Sequence, residues 1–181
     1  MSKFNPDAEV NQMVCSARTP EQYELCIAKI RQEMKWPHNK QFSHWYWTQL
    51  SICYYETFRY KKALRYDLKA VEIAPKCPMT LWSYAGTLHA LGRLDEAIAV
   101  YKDRLLSRGK RGLSNGPCRE GEKRAAEMLN DCRFRLALCY REKGDLTAAK
   151  RWLKLHLRLR EPRLKSIYTK KEVLKVLKEV S

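Results

Sequence analysis

Histidine and cysteine are the residues of this 181-residue chain best suited to metal binding or nucleophilic chemistry. Their spacing favours neither. The four histidines, His38, His44, His89 and His156, fit no HExxH pattern. Cys15, Cys26, Cys53, Cys77, Cys118, Cys132 and Cys139 are odd in number and form no CxxC pair, the spacing a zinc or redox site would use. Cys132 and Cys139 fall seven apart on one expected helix, but no histidine is placed to draw a proton from either thiol. GxSxG, P-loop and GxGxxG sequences are absent. The expectation is a protein that is not an enzyme, needs no metal or cofactor, and keeps most of its cysteines reduced in the core, where a thiol behaves as a small hydrophobe.

Charge is the stronger signal. The net charge is +16, from 36 basic and 20 acidic side chains. Residues 1–90 carry 12 basic and 8 acidic groups, residues 91–181 carry 24 and 12, so the surplus is in the C-terminal half. Arg108, Lys110 and Arg111, with Arg119, Lys123 and Arg124 beyond them, form one cluster. Lys150, Arg151, Lys154 and Arg158, continued by Arg160, Arg163 and Lys165, form another. Such an excess attracts acidic proteins or nucleic-acid phosphates. The blander alternative is a solvated face that keeps the protein soluble.

The elements that carry these residues emerge from internal spacing. Residues 44–75 slide onto 81–106 at an offset of 34: Trp47 meets Leu81, Leu50 meets Tyr84, Ser51 meets Ala85, Tyr54 meets Leu88, and Ala63 meets Ala97. A third copy, 132–159, aligns Leu136, Ala137, Tyr140, Gly144, Leu146 and Ala149 at a further offset of 52. The extra 18 residues fall in a glycine-rich, basic stretch that reads as an inserted loop. Within each copy apolar residues recur at three- and four-residue steps, break at a short turn, and resume, so each copy is an amphipathic helical hairpin. Small residues at Ser51, Ala85, Ala137, Ala63, Ala97 and Ala149 let the two helices approach, and one hairpin cannot bury its apolar face alone, so copies stack.

On Trp47, Leu50, Ser51, Tyr54, Ala63, Ala70 and Pro75 the first copy resembles the tetratricopeptide repeat. Departures are Phe58 at the usual turn glycine, Arg104 and His156 at usual alanines of the second helix, and Arg133 at the usual aromatic. The resemblance implies an all-α, TPR-like α-solenoid of antiparallel helix hairpins with a C-terminal capping helix. Its divisions are a degenerate N-terminal hairpin over 6–36, repeat 1 over 44–77, repeat 2 over 78–106, the basic inserted loop over 107–124, repeat 3 over 125–162 and the capping helix over 167–180. Thr19 and Pro20 mark the start of a helix over about 20–35. Val173, Leu174, Leu177 and Val180 give the capping helix its apolar stripe.

The resemblance also implies a concave groove lined by Trp45, Thr48, Gln49, Ile52 and Tyr55, by Trp82 and Ser83, and by Phe134, Arg135, Leu138 and Arg141. Aromatic anchors beside arginine suit the gripping of a protein segment. The alternative is that Trp45, Trp82 and Phe134 pack against neighbouring hairpins. The expected function is a protein–protein interaction scaffold or adaptor that binds another protein or peptide, acidic in character, in this groove. The alternative function is nucleic-acid binding by the basic C-terminal half, with exposed Trp or Phe as stacking platforms. The N-terminal sequence lacks the apolar core of a secretory signal, and no run approaches the ~18 apolar residues of a membrane span. A cytoplasmic protein without membrane insertion is expected.

Overall fold

The computed structural model describes residues 7–115, 117, 121–160 and 165–180, and among these no strand occurs. The chain divides into two units, Met1–Leu91 and Gly92–Ser181.

In the N-terminal unit, α1 (Ala8–Ser16) starts at Asp7, whose carboxylate accepts the Val10 amide at 2.9 Å. A second helix, α2 (Pro20–Glu33), begins in a capping box: the Thr19 hydroxyl takes the Gln22 amide, and the Gln22 side chain takes the Thr19 amide. Pairing two otherwise orphaned donors in this way fixes the helix start where the sequence places it. Tyr23, Cys26, Ile27 and Ile30 form the buried stripe of α2. After a 3-10 turn at Pro37–Phe42 comes α3 (Ser43–Glu56), then α4 (Tyr60–Ile73) and α5 (Pro78–Ala90). Helix α3 packs against α1, α2, α4 and α5, and nine of its fourteen residues are buried. A helix enclosed on all sides needs apolar or hydrogen-bonded residues around its whole circumference, and α3 has them. Ser51, Ala63, Ala70 and Ala85 are fully buried at close helix approaches.

The C-terminal unit opens with α6 (Leu94–Ala99), which runs on as a π-helical stretch over Val100–Leu105 and a 3-10 turn over Leu106–Arg108. A short helix, α7 (Gly109–Ser114), precedes the long α8 (Gly121–Glu142), its hairpin partner α9 (Leu146–Arg158) and the terminal α10 (Lys170–Glu179). Helix α7 lies against α8, and α10 against α9. The inserted loop expected over 107–124 is thus helical at Gly109–Ser114 and again from Gly121. The cause is Leu113, the large aliphatic residue of α7, which is fully buried and anchors an otherwise glycine- and arginine-rich segment. Of the residues named for that loop, Cys118 and Arg119 lie outside the described residues, as do Arg163 and residues 6, 161 and 162 of the expected divisions.

The turns that follow α3 and α8 share one geometry. After α8 the Asp145 amide donates to the Tyr140 carbonyl at 2.9 Å and the Gly144 amide to Arg141 at 3.0 Å. After α3 the Arg59 amide donates to Tyr54 at 2.8 Å and the Phe58 amide to Tyr55 at 2.9 Å. This double bond pattern, the Schellman motif, needs a left-handed residue at its centre. Gly144 supplies it with φ 82°, and Phe58 with φ 59°.

Candidate partner-binding surfaces

In the N-terminal unit the expected groove residues sit on α3 and α5 with unequal exposure. Trp45 is buried edge-on to Tyr46, with ring centroids 5.1 Å apart. Thr48 donates to the His44 carbonyl at 2.8 Å and shares a 3.0 Å contact with the Thr80 hydroxyl of α5. Gln49 is buried. Ser83 donates to Ser51 at 3.4 Å, a second polar tie between the same helices. Ile52, Tyr55, Trp82 and Ser83 remain half-buried, with Tyr55 tilted against Tyr60 at 5.3 Å.

In the C-terminal unit the corresponding face of α8 is engaged by the chain itself. Phe134 is buried, its ring 4.3 Å from Tyr168 and 5.7 Å from His156. The Arg135 guanidinium donates to the Tyr168 hydroxyl and lies 5.5 Å from that ring's centre. Leu138 packs into a cluster with Val173, Val176 and Leu177 of α10. Arg141 is ion-paired to Glu179 at 2.8 Å. Just before them, the buried Asp131 carboxylate accepts the Ser166 hydroxyl and the Ile167 amide, and Glu127 accepts the Lys165 amide at 3.1 Å. Residues 165–179 therefore fill the face read from sequence as open. The complementary residues, Tyr168 for Arg135 and Glu179 for Arg141, are visible in the sequence, but nothing in their spacing ties them to α8.

The basic residues divide in the same way. Arg108 is half-buried and donates to the Gly112 carbonyl, Lys110 pairs with Glu122 at 3.0 Å, and Arg111 is exposed. On α9, Arg151, Lys154 and Arg158 are exposed at i, i+3 and i+7, with Lys150 half-buried beside them. None of the four has a carboxylate within ion-pairing reach among the described residues. Helix α10 adds a second stripe, Lys171, Lys175 and Lys178, likewise exposed and unpaired among the described residues. Its carboxylates are already used, Glu172 in the capping box of Thr169 and Glu179 on Arg141. The large exposed apolar residues of this unit are aliphatic: Leu146, Leu159, Ile167 and Leu174.

Cys26, Cys53, Cys77, Cys132 and Cys139 are buried, and Cys15 is exposed. Burial raises the Cys132 thiol well above its usual range and pushes Cys139 up to about 12, the reverse of the shift that activates a nucleophile. No group of three or more His, Cys, Asp or Glu side chains is placed to hold a metal ion among the described residues. No helix among them is long and apolar enough to cross a membrane.

Successive antiparallel hairpins with small residues at their crossings define an all-α helical-repeat protein. Residues 131–162, the second half of α8 through α9 and beyond, match the family model of the tetratricopeptide repeat. No curated protein matches the sequence. Repeats of this family act as scaffolds for protein–protein interaction.

Proposed function

We propose that this chain is a scaffold that holds an acidic segment of a partner protein. The observation that carries the proposal is the cationic face of α9 and α10, where Arg151, Lys154, Arg158, Lys171, Lys175 and Lys178 are exposed without acidic partners among the described residues. Like charges left unpaired repel one another, and an acidic chain relieves that repulsion. Exposed aliphatic side chains lie on the same unit, whereas its aromatic rings, Tyr101, Phe134, Tyr140, Trp152 and Tyr168, are buried or half-buried. That mixture favours a protein segment over single-stranded nucleic acid, which is gripped by stacking on exposed rings. In the N-terminal unit, the half-buried Ile52, Tyr55 and Trp82 are the groove positions we propose for apolar contact, with Ser83, whose hydroxyl donates to Ser51, beside Trp82 in the chain. Trp45, Thr48 and Gln49 are buried and stand outside that contact set. Phe134, Arg135, Leu138 and Arg141 are excluded from the contact set because residues 165–179 occupy them.

Fluorescence anisotropy with a labelled glutamate-rich peptide and a labelled RNA oligonucleotide tests this. The peptide is expected to bind the wild type, and R151E/K154E/R158E to weaken it by about tenfold or more. Tighter RNA than peptide binding at matched salt would overturn the protein-partner reading. Unchanged binding by Trp82→Ala of a peptide that also carries leucines would remove the groove contacts while leaving the cationic face in place.

A further inference from the structure

Phe58 is an aromatic residue in a seat built for glycine. Thirty-four residues on, the equivalent position is Gly92 with φ 72°, and in the third copy it is Gly144 with φ 82°. At both glycines a Cβ would meet nothing within 4 Å, so the left-handed backbone, and not a lack of room, is what selects glycine there. A bulky L-residue in this conformation is strained. A buried ring could offset that strain, but Phe58 is 79% exposed, with its ring edge-on to Tyr60 at 6.2 Å. The fold gains nothing evident from the strain and the exposure together.

The surroundings give the ring a use. Phe58, Tyr60 and Leu91 wall a shallow concavity of about 410 Å³ whose other lining residues are Arg59, Lys61 and Lys62. Arg59 is tied to Glu24 at 2.6 Å, but Lys61 and Lys62 are exposed and have no carboxylate partner among the described residues. We infer that this concavity seats one large apolar side chain from a partner protein, in a segment whose flanking carboxylates meet Lys61 and Lys62. The apolar walls take the anchor, and the basic rim fixes the charge of its neighbours. The site belongs to the N-terminal unit alone and does not rest on the cationic face of α9 and α10.

The test compares two short labelled peptides, each aspartate- and glutamate-rich, one with a central tryptophan and one with alanine in its place. Wild type is expected to bind the tryptophan peptide about tenfold more tightly, and Phe58→Gly to abolish that preference with a melting temperature equal to or above wild type. The R151E/K154E/R158E variant is expected to keep the preference, which separates this site from the cationic face. Equal binding of the two peptides by wild type, an undiminished preference in Phe58→Gly, or a lowered melting temperature in that variant would each overturn the inference. So would sedimentation showing a wild-type dimer that Phe58→Gly dissolves, because the occupant would then be a second copy of the chain.

Discussion

Asp67 occupies the repeat position filled by Tyr101 and Leu153 in the later copies, and like them it is fully buried. Neither carboxylate oxygen makes a well-formed hydrogen bond among the described residues. Burial pushes its pKa up to about 6, while the hydroxyls of Thr87, Ser51 and Ser83 pull the other way. Between the ordinary 3.8 and about 6 the folded protein keeps a proton that the unfolded chain has released, so the N-terminal unit gains stability as pH falls through that window. The full difference is about 3 kcal/mol. Urea unfolding followed by tryptophan fluorescence, which reports chiefly on this unit through Trp36, Trp45, Trp47 and Trp82, should show it, and Asp67→Asn should flatten the slope. His156 has the opposite sense. It is buried with one ring nitrogen 2.8 Å from the Asn130 carbonyl and the other without a partner, and burial lowers its pKa. Below pH 6.5 the unfolded chain takes up a proton that the folded C-terminal unit refuses, and stability is lost. Asp131, beside it, is raised by burial and works against that loss at lower pH. Hydrogen exchange of α9 amides at pH about 7.5 and about 6 is expected to reveal faster opening at the lower pH after correction for intrinsic exchange.

At the level of elements, α10 depends on the contacts of residues 165–168 with α8. Tyr168→Ala removes a ring from Phe134 and the hydroxyl that receives Arg135, and is expected to cost about 2 kcal/mol. Accelerated exchange confined to α10 would identify the loss; unaltered protection there would show that the packing on α9 suffices. Thr169→Ala should cost about 1 kcal/mol by opening the capping box. Leu113→Ala should cost about 2–5 kcal/mol and free α7 from α8. The helices legible in the sequence are those with a long apolar period and a chemical start signal, such as α2 behind Thr19-Pro20. Helix α7 was illegible because one leucine among glycines and cations carries no period. The π-helical stretch was illegible for a related reason: Val100, Tyr101 and Leu105 fit an ordinary helical stripe equally well. The departure at Phe58 is legible because the repeat itself supplies Gly92 and Gly144 for comparison. The engagement of Arg135 and Arg141 was not legible, since side-chain pairing across more than thirty residues leaves no local pattern.

Over the whole molecule, charge is concentrated in the Gly92–Ser181 unit, and the partner contacts proposed for α9 and α10 are electrostatic in their reach. Their association rate should fall steeply between low and physiological salt, whereas the tryptophan preference of the Phe58 concavity should change little. Stopped-flow association of the two peptides at several salt concentrations distinguishes these behaviours. The attachment of residues 165–179 to α8 also bears on synthesis. Helices α8 and α9 can pair as soon as they leave the ribosome, but the face holding Asp131, Phe134 and Leu138 stays uncovered until the last of those residues emerges. During that interval the nascent chain displays an apolar, partly charged surface that a chaperone can hold.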